Sequence, residues 1–109
     1  MVVSLPQLAT ELNKIAPTRL VKFNKPQSLP FIIYKRDIPD DFHADDEIYN
    51  RNQIVDVELY TKNVDFAREG QIENLFKNNE IPYEITMLNE YVKSEGFFMT
   101  VYSISILGG

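Results

Sequence analysis

Phe31-Ile32-Ile33-Tyr34-Lys35-Arg36 is the stretch on which the fold turns. Six residues rich in aromatic and β-branched side chains, bounded by Pro30 and Pro39, read as a strand. Their apolar positions are consecutive rather than alternate, so both faces of this strand are expected to be at least partly covered. The next apolar run, Ile54–Tyr60, alternates more cleanly. Val55, Val57 and Leu59 share one face, while Asp56 and Glu58 lie on the other and read as solvated. The two runs are expected to pair antiparallel, joined by a connection of more than a dozen residues.

Upstream, Arg19–Phe23 reads as a weaker strand, and Lys25-Pro26 and Leu29-Pro30 punctuate a loop. Ser4-Leu5-Pro6-Gln7 opens a helix: Ser4 can cap, Pro6 sits in the first turn where its missing N–H costs nothing, and Gln7 completes a capping box. Leu5, Leu8, Leu12 and Ile15 then fall on one helical face, and Pro17 stops the run. Such a stripe packs on a sheet; a subunit contact is the alternative. Downstream, Asn63 or Asp65 can cap a second helix running to about Asn79, with Ile72, Leu75 and Phe76 as its apolar stripe and Gly70 weakening its interior. Pro82 ends it. Tyr83, Ile85 and Met87 alternate with Glu84 and Thr86 as a strand, and Asn89–Gly96 is a polar turn region or an extension of the flanking strands. The last strand, Phe97–Leu107, places Phe98, Tyr102, Ile104 and Ile106 on one face and Met99, Val101, Ser103 and Ser105 on the other. The order α-β-β-β-α-β-β predicts an α+β fold: one mostly antiparallel sheet of about four or five strands with two helices packed on it.

The chain has 109 residues, 44% hydrophobic and 25% charged, which fits a single domain over residues 1–109. It contains no Cys, which removes disulfides, thiolate nucleophiles and Cys-ligated metal sites. The single His, His43, excludes any site needing two imidazoles. Eleven Lys and Arg against sixteen Asp and Glu give a formal net charge of −5, which argues against a surface that grips nucleic acid throughout. Met1–Leu5 has no basic n-region and no long apolar run, so no signal peptide is expected. The longest apolar stretches are shorter than the roughly 20 residues a transmembrane helix needs, and no membrane partner is expected.

One segment departs from the average. Residues 37–52 form a long acidic loop between two strands, and loops of that length in compact domains tend to be functional or mobile. Within it, Asp40, Asp41, Phe42, His43, Asp45, Asp46 and Glu47 are the candidate protein-interaction residues. Five of the sixteen acids lie between Asp40 and Glu47, and the chain without them is formally neutral, eleven acids against eleven bases. Carboxylates at this density can hold a hard cation. The spacing Asp41-x-His43-x-Asp45 only imitates an EF-hand loop: there is no Gly at the sharp turn, and Asn52 stands where a closing Glu would be needed. Contact with a basic patch on a partner is the better reading, and no metal or cofactor is assigned. His43 among acids is favoured in its charged form. No nucleophile is placed beside it, carboxylates on a loop lack the rigid support that hydrolysis requires, and no phosphate-binding loop or nucleophile elbow is present. No catalytic residue is expected. Arg19, Lys22 and Lys25, the densest basic group, read as solubilising charges beside an edge strand, with phosphate contact as the alternative.

An ordered string of short motifs adds a resemblance. Leu29-Pro30-Phe31-Ile32-Ile33-Tyr34 is followed by Phe42-His43-Ala44-Asp45-Asp46-Glu47-Ile48-Tyr49, then by Val57-Glu58-Leu59-Tyr60-Thr61-Lys62 and Ile81-Pro82-Tyr83-Glu84. Tyr91-Val92-Lys93-Ser94-Glu95 then leads into Val101-Tyr102-Ser103-Ile104. In this order and spacing the chain resembles the small tail-completion proteins (head–tail joining, or neck, proteins) of long-tailed bacteriophages and prophages of Gram-positive hosts. The likeness covers most of the chain from Leu29 onward, and the first helix fits more loosely. Lys62 stands where that group usually has an Asp, and Ser103 where it usually has a Glu. None of the motifs is catalytic.

The resemblance implies a structural virion protein, synthesised in the bacterial cytoplasm, that forms a ring, in that group hexameric, at the head-proximal end of the tail. Its partners would be further copies of itself, the connector or stopper protein and the tail tube protein, with DNA passing through the lumen without sequence-specific binding. Head-to-tail contacts close into a ring when the rotation per subunit closes. The alternative from another class is a small cytoplasmic binding module that uses the acidic loop to hold a cation or a basic protein partner. A small hydrolase relying on His43 or Asp45 ranks last.

Overall fold

The computed structural model describes residues 4–37 and 52–107. Helix α1 (Leu5–Asn13) starts at Ser4, whose extended backbone lets its side-chain oxygen accept the Gln7 N–H at 3.3 Å, with Pro6 in the first turn. Leu8 and Leu12 are fully buried and Leu5 and Ile15 pack at the margin, so the apolar stripe lies on the core. Helix α2 (Phe66–Asn78) is capped by Asp65 rather than Asn63: the Arg68 N–H donates to Asp65 Oδ1 at 3.0 Å, and the Arg68 guanidinium returns to Oδ2 at 2.8 Å. Nε of the same arginine donates to the Ile15 carbonyl, which ties the start of α2 to the end of α1. Ile72 and Phe76 are buried, and Leu75 packs beside them.

Five strands follow the expected order: β1 (Thr18–Leu20), β2 (Phe31–Asp37), β3 (Asn52–Thr61), β4 (Tyr83–Val92) and β5 (Phe97–Leu107). They form one sheet in the spatial order β1-β2-β3-β5-β4. All pairs are antiparallel except the short parallel pair β1–β2. This is the α+β fold, with β5 placed between β3 and β4. Directly opposed residues share a face, so the registers give rows across the sheet. Ile32, Leu59 and Thr100 form one row, Tyr34, Val57, Tyr102 and Ile85 the next, and Arg36, Val55, Ile104 and Tyr83 a third. Both helices pack on this face: Leu8, Leu12, Ile72 and Phe76 form one core cluster with Val55, Val57, Leu59, Tyr102 and Ile104.

Several local expectations change. The first strand is Thr18–Leu20, shorter and earlier than Arg19–Phe23, because the chain turns at once. Val21 sits at φ +69°, and the Lys22 N–H donates to the Leu20 carbonyl at 2.7 Å, a γ-turn that ends the pairing. Glu58 is not solvated but buried, for reasons given below. The simple alternation of Tyr83, Ile85 and Met87 breaks. Register shifts between Ile85 and Met87 and between Met87 and Glu90 carry Met87 to the face opposite Ile85, facing Val101. Asn89–Gly96 resolves into strand as far as Val92 and then a tight turn, where the Gly96 N–H donates to the Val92 carbonyl and Gly96 takes φ +73°. The first strand run is covered on both faces, as its consecutive apolar residues predict: Ile32 and Ile33 are both buried.

Gly70 lies in the interior of α2, and no neighbouring atom stands within 4 Å of where a Cβ would be. Gly70→Ala should therefore stabilise the protein by about 0.5–1 kcal/mol, seen as a higher urea midpoint with an unchanged slope. Phe76→Ala should cost roughly 3–5 kcal/mol in the same measurement.

Candidate functional site

With both helices on one side, the other face of the sheet is left to its own side chains. One row there reads Arg19, Ile33, Glu58, Val101 and Met87 across the five strands. Lys35, Asp56, Ser103 and Glu84 form the row on one side of it, and Phe31, Tyr60, Met99 and Glu90 the row on the other. Charge runs across this face: Arg19 and Lys35 stand on β1 and β2, Asp56 and Glu58 on β3, Glu84 and Glu90 on β4.

Glu58 occupies the middle of this surface at 8% exposure. Both of its carboxylate oxygens have partners: the Tyr60 hydroxyl donates to Oε1 at 2.7 Å, and the Lys35 ammonium lies 3.2 Å from Oε2. Burying a carboxylate is tolerable when its lone pairs are met in this way. Burial, and then the hydrogen bond to Glu58 and its charge, push the Tyr60 phenol well above its ordinary range, so Tyr60 acts as a fixed donor. Asp56 is raised as well, by partial burial first and then by the charges of Asp37 and Glu58, which outweigh Lys35. Below the carboxylates runs a file of aromatic rings. Phe23 meets Phe31 at 5.4 Å edge-on, Phe31 stacks on Tyr60 at 4.9 Å, and Tyr60 meets Phe97 at 5.1 Å edge-on. The Arg19 guanidinium lies 5.7 Å from the Phe23 ring. The face is thus a partly apolar surface edged by opposite charges.

A second carboxylate group lies on the helix-covered side. Glu73 of α2 accepts from the Tyr83 hydroxyl through Oε1 and from the Tyr102 hydroxyl through Oε2, each at 3.2 Å. Burial, Glu73 and Glu69 together raise the Tyr102 phenol far above its usual range, so it too stays protonated and donates. Glu69 is buried and its Oε2 has no partner among the described residues. Two surface clefts lie among the described residues. One of about 420 Å³ is rimmed by Leu29, Pro30, Val64 and Phe66 at the start of α2, and one of about 390 Å³ runs between Glu11, Lys14 and Ile15 of the first helical segment and Gln71, Asn74 and Leu75 of α2. Among the described residues no three His, Cys, Asp or Glu side chains converge in a way that could hold a metal ion. None of the described helices is long and apolar enough to cross a membrane.

The interaction residues expected from sequence, Asp40, Asp41, Phe42, His43, Asp45, Asp46 and Glu47, lie outside the described residues. No family model and no curated protein matches this chain. What the sequence reading missed is the role of Lys35, Glu58 and Tyr60. The period-2 rule does place Glu58 and Tyr60 on one face; what it lacks is the register that sets Lys35 opposite Asp56 and one step from Glu58.

Asp56 gives this surface a pH signature. Its folded pKa lies above the unfolded value of 3.8, so the ionised form opposes folding. That cost is absent below the unfolded pKa, grows as pH rises through the folded pKa, and is complete above it. Asp56→Asn should raise stability at neutral pH by roughly 0.3 kcal/mol after solvent screening and change nothing near pH 3, as urea midpoints at the two pH values will show.

Proposed function

We propose that this protein is a structural component of the neck of a long-tailed phage, a ring subunit that joins the tail tube to the head connector by assembly rather than catalysis. The observation that carries this reading is the ordered motif string, whose described members are distributed over four of the five strands. Phe31–Tyr34 lies in β2, Val57–Thr61 in β3, Tyr83-Glu84 and Tyr91-Val92 at the two ends of β4, and Val101–Ile104 in β5. The motifs are therefore spread through the framework and do not converge on one pocket, as is natural for a subunit whose shape is its function. Among the described residues one sheet face carries no helix and the long edge strand β4 has no outer partner, which supports the same reading, because a ring subunit must present surface to neighbours on two sides.

In this role the acidic segment around His43 reaches a basic patch on the protein above or below in the tail. Deleting Asp40–Asp46 should abolish head–tail joining, leaving filled heads and free tails by electron microscopy of the mutant particles. Normal joining and normal particles after that deletion would show that the segment is not the contact.

A further inference from the structure

The two edges of the sheet differ in kind. Seven large apolar side chains are exposed among the described residues, and five of them stand at these edges: Leu20 and Val21 at β1, and Ile85, Leu88 and Tyr91 on β4. The other two, Val64 and Phe66, rim the cleft at the start of α2. Exposed apolar surface gathered in this way marks contact sites.

At the first edge, the chain satisfies most of its own outward backbone. Asn13 Oδ1 accepts the Thr18 N–H at 3.0 Å, the Arg19 guanidinium donates to the Thr18 carbonyl at 3.1 Å, and the γ-turn takes the Leu20 carbonyl. β1 covers only the first part of β2. The Val21 N–H donates to the Tyr34 carbonyl, so by alternation the main chain of Arg36 points to the same side, beyond the end of β1. The opposite edge has no such protection. Among the described residues no strand lies outside β4, and the ladder bond from the Ser105 N–H to the Pro82 carbonyl leaves the main chains of Tyr83 and Ile85 directed outward.

Charge also divides between the edges. Arg19, Lys22, Lys25 and Arg36 are exposed at or near the β1–β2 edge, and Glu84, Glu90 and Glu95 at or near β4; Asp37 and Lys93 are the exceptions. Pairing β4 antiparallel with β4 of a second copy would bring together two strands that each carry Glu84 and Glu90, set directly against each other in the register centred on Met87, and like charges opposed in this way repel. Pairing the basic edge with itself meets the same objection. Docking one edge on the other sets acid against base, apolar against apolar, and the free main chain of β4 against that of Arg36.

We infer that the β1–β2 edge of one copy docks head to tail on the β4 edge of the next. The contact is heterologous, so it makes a ring where the rotation closes and an open filament where it does not. It deepens the neck reading and rests on that reading only for closure into a ring.

Charge exchange between the edges tests the contact by sedimentation velocity and light scattering. Wild-type protein should associate beyond the monomer as concentration rises, and less so at high salt. Glu84→Lys/Glu90→Lys and Lys22→Glu/Arg36→Glu, all at exposed positions, should each weaken association by at least roughly tenfold. An equimolar mixture of the two double variants should recover it, because every contact between unlike variants is again acid on base. Leu88→Asp should reproduce the loss without touching the basic edge, with circular dichroism confirming that each variant is folded. Oligomers that persist unchanged in both double variants, or a mixture that regains nothing, would overturn the edge contact while leaving a ring built on other surfaces. Wild-type protein that stays monomeric at every concentration would overturn the edge contact as well, and the neck reading would still stand or fall with the mutant particles.

Discussion

The fold is held in register by Tyr102. Its ring is fully buried, 5.7 Å from Phe76 of α2 and 6.1 Å from Tyr83 of β4, and its hydroxyl donates to Glu73 one helical turn before Lys77. A buried phenol needs an acceptor, and the half-buried Glu73 carboxylate gains from donors. Glu73 and the two tyrosines meet both needs at once and fix the rotation of α2 about its axis. With that rotation set, Ile72 and Phe76 point into the sheet and Asp65 is positioned to hold Arg68, which reaches back to the end of α1. The helices are thereby confined to one side, and the opposite face of the sheet is left for Glu58, Tyr60 and the aromatic file.

That division of labour between the two faces explains how an otherwise ordinary core can coexist with a charged surface of some rigidity. The helix-covered face is sealed by aliphatic and aromatic packing. The other face is organised by side chains that cover one another, with Glu58 neutralised from both sides and the rings of Phe31 and Tyr60 stacked beneath. Surface ion pairs usually contribute little. Here the Lys35–Glu58 pair matters because Glu58 is buried, and a carboxylate stripped of its partners at that depth would be costly.

Most of the architecture was legible in the sequence because its signals are local. Ser4 and Asp65 as caps, Pro17 and Pro82 as boundaries, and the alternation in Ile54–Tyr60 each act within a few residues, and each has a counterpart in the folded chain. What was not legible depends on distant parts of the chain. The bulges that move Met87 across the sheet follow from the pairing with β5, and the burial of Glu58 follows from Lys35 two dozen residues earlier. The early end of β1 comes from a backbone state at Val21 that propensity opposes, since a β-branched residue at positive φ is strained. The candidate interaction residues around His43 and the basic group Arg19, Lys22 and Lys25 were conspicuous for composition alone, whereas the β4 edge carries no compositional mark and emerges only once strand order is known.

The spatial order β1-β2-β3-β5-β4 has a consequence for how the molecule comes into being. Of the described strands, the one furthest along the chain is not at the rim but is the bridge between β3 and β4. During synthesis β3 can pair only with β2, and β4 with no strand of this sheet, until β5 emerges, and the pairing of β3 with β5 spans dozens of residues of intervening chain. Contacts of such sequence separation slow folding. A nascent chain in this state exposes unpaired edges on both sides of a gap, so the polypeptide is most vulnerable to wrong association just before β5 arrives.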